Sequence, residues 1–307
     1  MTGPLEVEGR PSRPALASLA VLVATAVWGG TFVTVKDALA QVDTFTFLAL
    51  RFGLGAVVAA ALASRTPLGD VRALLRAGLG LGALLFGGYV LQTLGLEHTT
   101  PARSAFVTGM TVIFVPFVSW RLERKRPPVR SFVAPVVALA GLQQLTGVGL
   151  GDLPSGDVLL GDALTFGCAV LYAFHIAGMS KWGKPLPSLA LTAVQLAVVS
   201  LASTACLPFV ERRFESTPTV WFAVVFCGVF ASALAIAAQA WAQTQIPATR
   251  AAVIYSLEPL FTVVSLAALG LALPSLGELR GGALILVAVL VSEVDWARLR
   301  TSSPGAA

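Results

Sequence analysis

A chain of 307 residues that is 56% hydrophobic and 12% charged carries more apolar surface than a soluble protein of its length can hide in one or two cores. Soluble domains carry about 25% charge, so an integral membrane protein is expected, and its apolar runs do not alternate with polar residues as the strands of a membrane barrel would. The net charge of +5 reflects loop placement and topology, not affinity for nucleic acid.

Crossing the hydrocarbon takes about 20 apolar residues as a helix, which satisfies its own backbone hydrogen bonds. Breaks at charge, Pro and Gly predict ten such segments, near 15–36, 45–64, 74–96, 102–120, 131–149, 159–180, 187–208, 219–242, 250–271 and 277–295. The first follows a polar stretch with Arg10 and Arg13. Its Ala24-Thr25-Ala26 imitates a signal cleavage site, but the apolar run continues past it, so an uncleaved span is expected. This span holds Trp28 and closes on Lys36. The second carries Arg51 seven residues in. The third has the close-packing pattern "GLGLG" (78–82), then Tyr89 and Gln92. Arg103 opens the fourth, and the basic run "RLERKRPPVR" (121–130) separates it from the fifth. Asp152, Asp157 and Asp162 precede or begin the sixth, which contains Tyr172 and His175. The eighth brings Gln239 and Trp241, with Gln243 at its end. Arg250 opens the ninth, where Glu258 and Pro259 stand in an otherwise uncharged stretch from Ala251 to Gly277.

Lys and Arg divide unevenly between alternate loops. Fifteen fall on the side of the two termini. Lys36, Arg103, Arg212, Arg213 and Arg280 make five on the other, and Arg51 lies within a span. The positive-inside rule then places both termini and the 121–130 loop in the cytoplasm. Shifted by 144 to 147 residues, the sequence also matches itself. Trp28 of "AVWGGTF" falls on Tyr172 of "VLYAFHI", Arg51 on Gln195, Gln92 on Gln239 and Arg103 on Arg250. Five spans per half is an odd number, so the second half must enter from the opposite face. The expected fold is an all-α membrane protein of ten transmembrane helices arranged as two inverted five-helix repeats, a plan common among secondary transporters.

The residues that carry this pattern resemble a known family. "WGGTF" with Lys36 in the first span, "RSAFVTGMTVIFVPF" (103–117) in the fourth, and "AAVIYSLEPLFTVVSLAALG" (251–270) with "GGALILVAVL" (281–290) in the last two are similar to the EamA-type families of the drug/metabolite transporter superfamily. The resemblance covers two tandem units, about 16–148 and 159–296. It implies ten helices, cytoplasmic termini and export or exchange of small metabolites, amino acids often among them, across the inner membrane. Family members often carry Gly-Glu-Arg at the end of the ninth span, where this chain reads "LGLALPS" (269–275).

The site is expected between the repeats. An ionised carboxylate in hydrocarbon costs about 2.5–3.5 kcal/mol on insertion scales, so Glu258 must face protein or water. It is either a substrate-amine or proton site, or a buried acid that fixes the helix kink made by Pro259. His175 is a second proton-carrier candidate, with a neutral, hydrogen-bonded interior histidine as the commoner alternative. Trp28, Tyr89, Gln92, Tyr172, His175, Gln239, Trp241, Tyr255 and Glu258 form the candidate cavity, with Gln243 one turn beyond Gln239. Arg51 either meets a substrate carboxylate or snorkels to the outer interface, and snorkelling is the expectation. Lys36, Arg103 and Arg250 are expected at interfaces.

The expected partners are a small-molecule substrate and the lipid bilayer. No metal site, cofactor or nucleic acid is expected. Cys168, Cys206 and Cys227 show no CxxC spacing and read as buried small side chains. No GxxxxGK[ST] loop occurs and no ATP-binding subunit is implied. A multidrug or other-metabolite carrier of the same fold is the alternative cargo reading. Outside that class stand a channel or an intramembrane enzyme. His98 and His175 make no HExxH motif, and no Asp lies deep in a span.

Overall fold

The structure is a computed structural model that describes residues 13–124, 132–146 and 156–293. Among them the secondary structure is helical, apart from one isolated bridge between Val42 and Phe214. α1 (Pro14–Leu39) opens on a proline, which sacrifices no helical donor there. α2 (Thr44–Ala63) and α3 (Val71–His98) begin at Asp43 and Asp70, whose carboxylates accept from the amides of Thr46 at 2.9 Å and Ala73 at 3.0 Å. α4 (Pro101–Gly109), capped by Thr100, continues into α5 (Thr111–Glu123) across a break at Met110. α6 (Val133–Thr146) ends the first half.

The second half opens with α7 (Asp157–Gly178), which widens into a π-helical turn at Met179–Gly183, and α8 (Ser188–Cys206). α9 (Pro218–Phe226) passes through a π-helical stretch at Cys227–Leu234 into α10 (Ala235–Ala242). α11 (Ala248–Tyr255) breaks before α12 (Glu258–Ala268), and α13 (Leu276–Glu293) closes the chain. Pro259 has no amide hydrogen, so helical bonding cannot run unbroken through it. The break sits at Ser256–Leu257, 147 residues beyond the break at Met110.

Eight helical stretches are long and apolar enough to cross a membrane: 14–39, 44–63, 71–98, 101–123, 157–183, 188–209, 218–242 and 248–268. Val133–Leu145 is a shorter apolar helix. α13, where a tenth span was expected, carries Glu278 and Arg280 in its first turns and is not among the eight. Residue 131, residues 147–149 and residues 294–295 of the expected fifth and tenth spans lie outside the described residues. So do Arg10, Lys125, Arg126, Arg130, Asp152, Arg298 and Arg300. The chain is a multi-pass integral membrane protein, and its surface agrees: large apolar side chains such as Val57, Leu201, Phe222 and Leu290 are exposed, while Thr25, Thr165, Gln195 and Ser232 are buried.

Helix packing is reciprocal between the halves. α3 runs against α7, and α10 with its π stretch runs against α1. α4 and α5 pack on α7, as α11 and α12 pack on α1. α2 pairs with α8 and α6 with α13. Exchanging the two halves reproduces each contact.

One close approach places the site. Gly29 of α1 faces α12, and a Cβ there would come 2.6 Å from the Glu258 carbonyl oxygen and 2.5 Å from Phe261 Cβ. The Thr262 hydroxyl donates to the Gly29 carbonyl at 2.9 Å. Gly29→Ala is therefore expected to overpack this crossing, at a cost of about 1–3 kcal/mol. The check is the thermal unfolding midpoint of the detergent-purified protein, which should fall. An unchanged midpoint would contradict the tight crossing.

Candidate functional site

Both halves contribute to one internal cavity with about 680 Å³ of empty space, its open part included. From the first half come Trp28, Thr31, Arg51, Tyr89, Gln92, Thr108 and Thr111, among others. From the second come Tyr172, His175, Gln239, Tyr255, Ser256 and Glu258. Eight of the nine expected cavity residues are thus brought together. Trp241 is not. It lies two residues past Gln239, about 200° around the helix, and packs against the apolar cluster of Ile246, Ala251 and Tyr255 instead.

The cavity wall is a chain of aromatic and amide groups. Trp28 donates its indole N–H to the Ala231 carbonyl at 2.7 Å, within the π-helical stretch, where regular i→i−4 pairing is interrupted. Its ring centroid lies 5.4 Å from that of Tyr255. Also in the wall, the Tyr172 hydroxyl donates to Gln92 Oε1 at 3.2 Å, and Gln92 Nε2 donates to Thr108 Oγ1 at 3.2 Å. Tyr89 stacks edge-on to Tyr172 at 5.6 Å. The buried Tyr255 hydroxyl has no hydrogen-bond partner among the described residues.

Glu258 begins α12, where the unpaired amides of a helix N-terminus favour negative charge. It is partly exposed and lines the cavity. Among the described residues its carboxylate makes no ion pair: Arg103–Asp162, at 2.5 Å, is the one recorded there. His175 is buried, and its Nε2 lies 2.7 Å from Gln195 Oε1. That oxygen only accepts, so Nε2 carries the hydrogen.

Arg51 does not snorkel. It is 3% exposed, inside the wall, with Nε donating to Ser232 Oγ at 3.0 Å. Two neighbouring rings and a hydroxyl from the π stretch hold it in place of interfacial water. Gln243 sits one turn below the cavity. Its Nε2 donates to the Ile176 carbonyl at 2.8 Å and to Ser180 Oγ at 2.9 Å, and its Oε1 accepts from Gln239 at 3.0 Å. Lys36 binds the end of α3, its Nζ donating to the carbonyls of Leu96, Glu97 and Thr99 at 2.5, 3.0 and 3.2 Å. Arg103 pairs with Asp162, which also accepts from the Thr99 hydroxyl at 3.1 Å.

Thr31, Thr108, Thr111 and Ser256 escape sequence reading because Ser and Thr in apolar helices commonly bond back to their own turn, as the Thr31 and Ser256 hydroxyls do to Trp28 and Val253. The repeat could have found three of them. Thr31 is the counterpart of His175, Thr108 of Tyr255 and Thr111 of Glu258. Among the described residues no group of His, Cys, Asp and Glu is placed to hold a metal ion.

Helices broken at repeat-related positions beside a cavity shared by two reciprocal halves are the plan of a polytopic membrane transport protein. The chain belongs to the EamA-like transporter family, whose model matches twice, at residues 15–145 and 159–293, and so to the drug/metabolite transporter superfamily. Two proteins of Archaeoglobus fulgidus, each described as an uncharacterized transporter, are similar to it. One is 29% identical over 276 residues, spanning 90% of this chain and 85% of that protein. The other is 24% identical over 244 residues, spanning 78% and 83%. A solved crystal structure, described only as that of a protein, shares the fold with a TM-score of 0.76 at 20% identity, over 94% of this chain and 99% of the other.

Proposed function

We propose that this transporter is a secondary carrier of small metabolites, amino acids among them, which exports or exchanges them across the inner membrane by alternating access. Ten spans form two oppositely threaded units, 16–148 and 159–296, with both termini cytoplasmic. The observation that carries this reading is the Glu258 carboxylate, which stands without a protein partner among the described residues in a cavity built equally by both halves. It can take a substrate ammonium or a proton, one at a time, which is what antiport requires. His175, bonded to Gln195, supports the cavity wall and stands as the second proton candidate.

Repeat-related clasps close the two ends. Lys36 on α1 grips the C-terminal carbonyls of α3. Its counterpart, 144 residues on, is Ser180, which accepts from Gln243, itself the counterpart of Leu96. The two clasps lie at opposite ends of α1. Arg13, which immediately precedes it, donates its amide to Gln245 Oε1 at 3.3 Å, and Lys36 stands 23 residues further on, about 34 Å along a helix. The Lys36 clasp closes the outer mouth and the Gln243 clasp the inner one. Opening one while the other holds moves the site from face to face.

Counterflow tests this reading. Proteoliposomes preloaded with an unlabelled amino acid should accumulate the labelled form transiently above equilibrium, and the panel extends to drugs if amino acids fail. A channel gives simple equilibration with no overshoot, and that outcome rejects the carrier.

A further inference from the structure

The cavity wall contains a charge that proton coupling leaves unused. Arg51 is buried, and its guanidinium carbon lies 4.9 Å from the Phe52 ring centroid and 4.8 Å from that of Tyr89. Its single hydrogen bond among the described residues is from Nε to Ser232, and it forms no ion pair with any of them. The Nη groups, which carry most of the donors of the guanidinium fork, are left without protein acceptors. A buried cation in that condition is costly, and ring faces offset only part of it.

The fold does not require a cation at this position. The repeat counterpart is Gln195, a neutral amide that bonds His175 at 2.7 Å and the Leu191 carbonyl at 3.3 Å. One half meets the packing demand with an amide, while the other keeps a full charge. Arg51 also borders a second, smaller cavity of about 270 Å³ between α1, α2 and α3. Thr31, Arg51 and Gln92 belong to both cavities, and Thr93 and Leu96 carry the smaller one towards the Lys36 clasp.

We propose that Arg51 is a carboxylate-binding subsite, so that the substrates of this carrier bear a carboxylate and a purely cationic drug is excluded. The inference deepens the carrier reading above and rests on it. The planar fork of the guanidinium matches a carboxylate through two parallel bonds. Thr31 and Gln92 supply further polar contacts on the same wall. The smaller cavity is the carboxylate's path to the outer mouth when the Lys36 clasp opens.

The test is binding, measured by thermal shift on the purified full chain. The probes are the common amino acids, their amides, and the matching acids without the amine. Wild type should bind acids at least tenfold more tightly than the amides. Arg51→Gln, which installs the residue of the repeat counterpart, should weaken acid binding about tenfold, leave amide binding unchanged and so erase the preference. Arg51→Lys should restore part of it. Equal binding of acid and amide by wild type, no binding of any acid, or a parallel loss of both classes in Arg51→Gln overturns the subsite. Should Arg51→Gln fail to fold, the acid-to-amide ratio of Arg51→Lys decides, and a ratio equal to wild type overturns it. Because binding needs no turnover, failure here stays distinct from failure of counterflow, which would instead reject the carrier.

Discussion

Glu258→Gln inserts and folds like the parent chain, and its transport no longer responds to an imposed pH gradient. Gln is nearly isosteric with Glu, so the start of α12 and the break before Pro259 keep their shape. What changes is chemistry: an amide neither releases a proton nor pairs with an ammonium. The carboxylate has no donor or cation partner among the described residues, so its loss breaks no internal bond that would destabilise the bundle. Gradient-driven flux in proteoliposomes is expected to drop by roughly tenfold or more, since a charge-assisted contact contributes about 1.5–3 kcal/mol and 1.4 kcal/mol is a factor of ten. If Glu258 served only to fix the kink, the variant would transport normally at every pH, and the proton-site reading would be wrong.

Lys36→Met and Gln243→Leu push the conformational equilibrium in opposite directions. Three charge-assisted bonds hold the Lys36 clasp, and in the topology proposed above their removal should favour the outward-open form by about tenfold or more. The Gln243 clasp is neutral, with two bonds donated to α7 and its π turn. At about 1 kcal/mol net, its loss should favour the inward-open form roughly fivefold. The measurement is labelling of Thr108→Cys by a thiol reagent applied at the outer face, in a background lacking Cys168, Cys206 and Cys227. Lys36→Met should accelerate labelling and Gln243→Leu should slow it. If these side chains were only packing elements, both variants would shift it the same way or not at all.

Spans and cavity differ in how far the sequence shows them. Apolar runs bounded by charge are a composition signal, and the boundaries of α1, α2 and α3 fall within a few residues of those expected. The cavity was readable because polar groups in apolar helices are costly and must converge, as Gln92, Tyr172, Gln239 and Glu258 do. Arg51 was misread because a position seven residues into a helix looks within reach of the interface. Nothing local to it signals that Ser232, 181 residues away, will meet it. Trp241 was misplaced because residue type was weighed ahead of helical phase. The π stretches leave no mark in composition, yet Cys227–Leu234 brings both Ser232 and the Ala231 carbonyl to the wall. The repeat register also pairs Lys36 with Ser180 and Leu96 with Gln243, the residues of the two proposed clasps.

One cysteine in the cavity tests alternating access most directly. Thr108→Cys, with both clasps intact and the native cysteines removed, is exposed to a membrane-impermeant thiol reagent in right-side-out and in inside-out vesicles. Labelling from each face, slowed in both cases by a transported substrate, is the predicted result. Labelling from one face alone, with no effect of substrate, would contradict it.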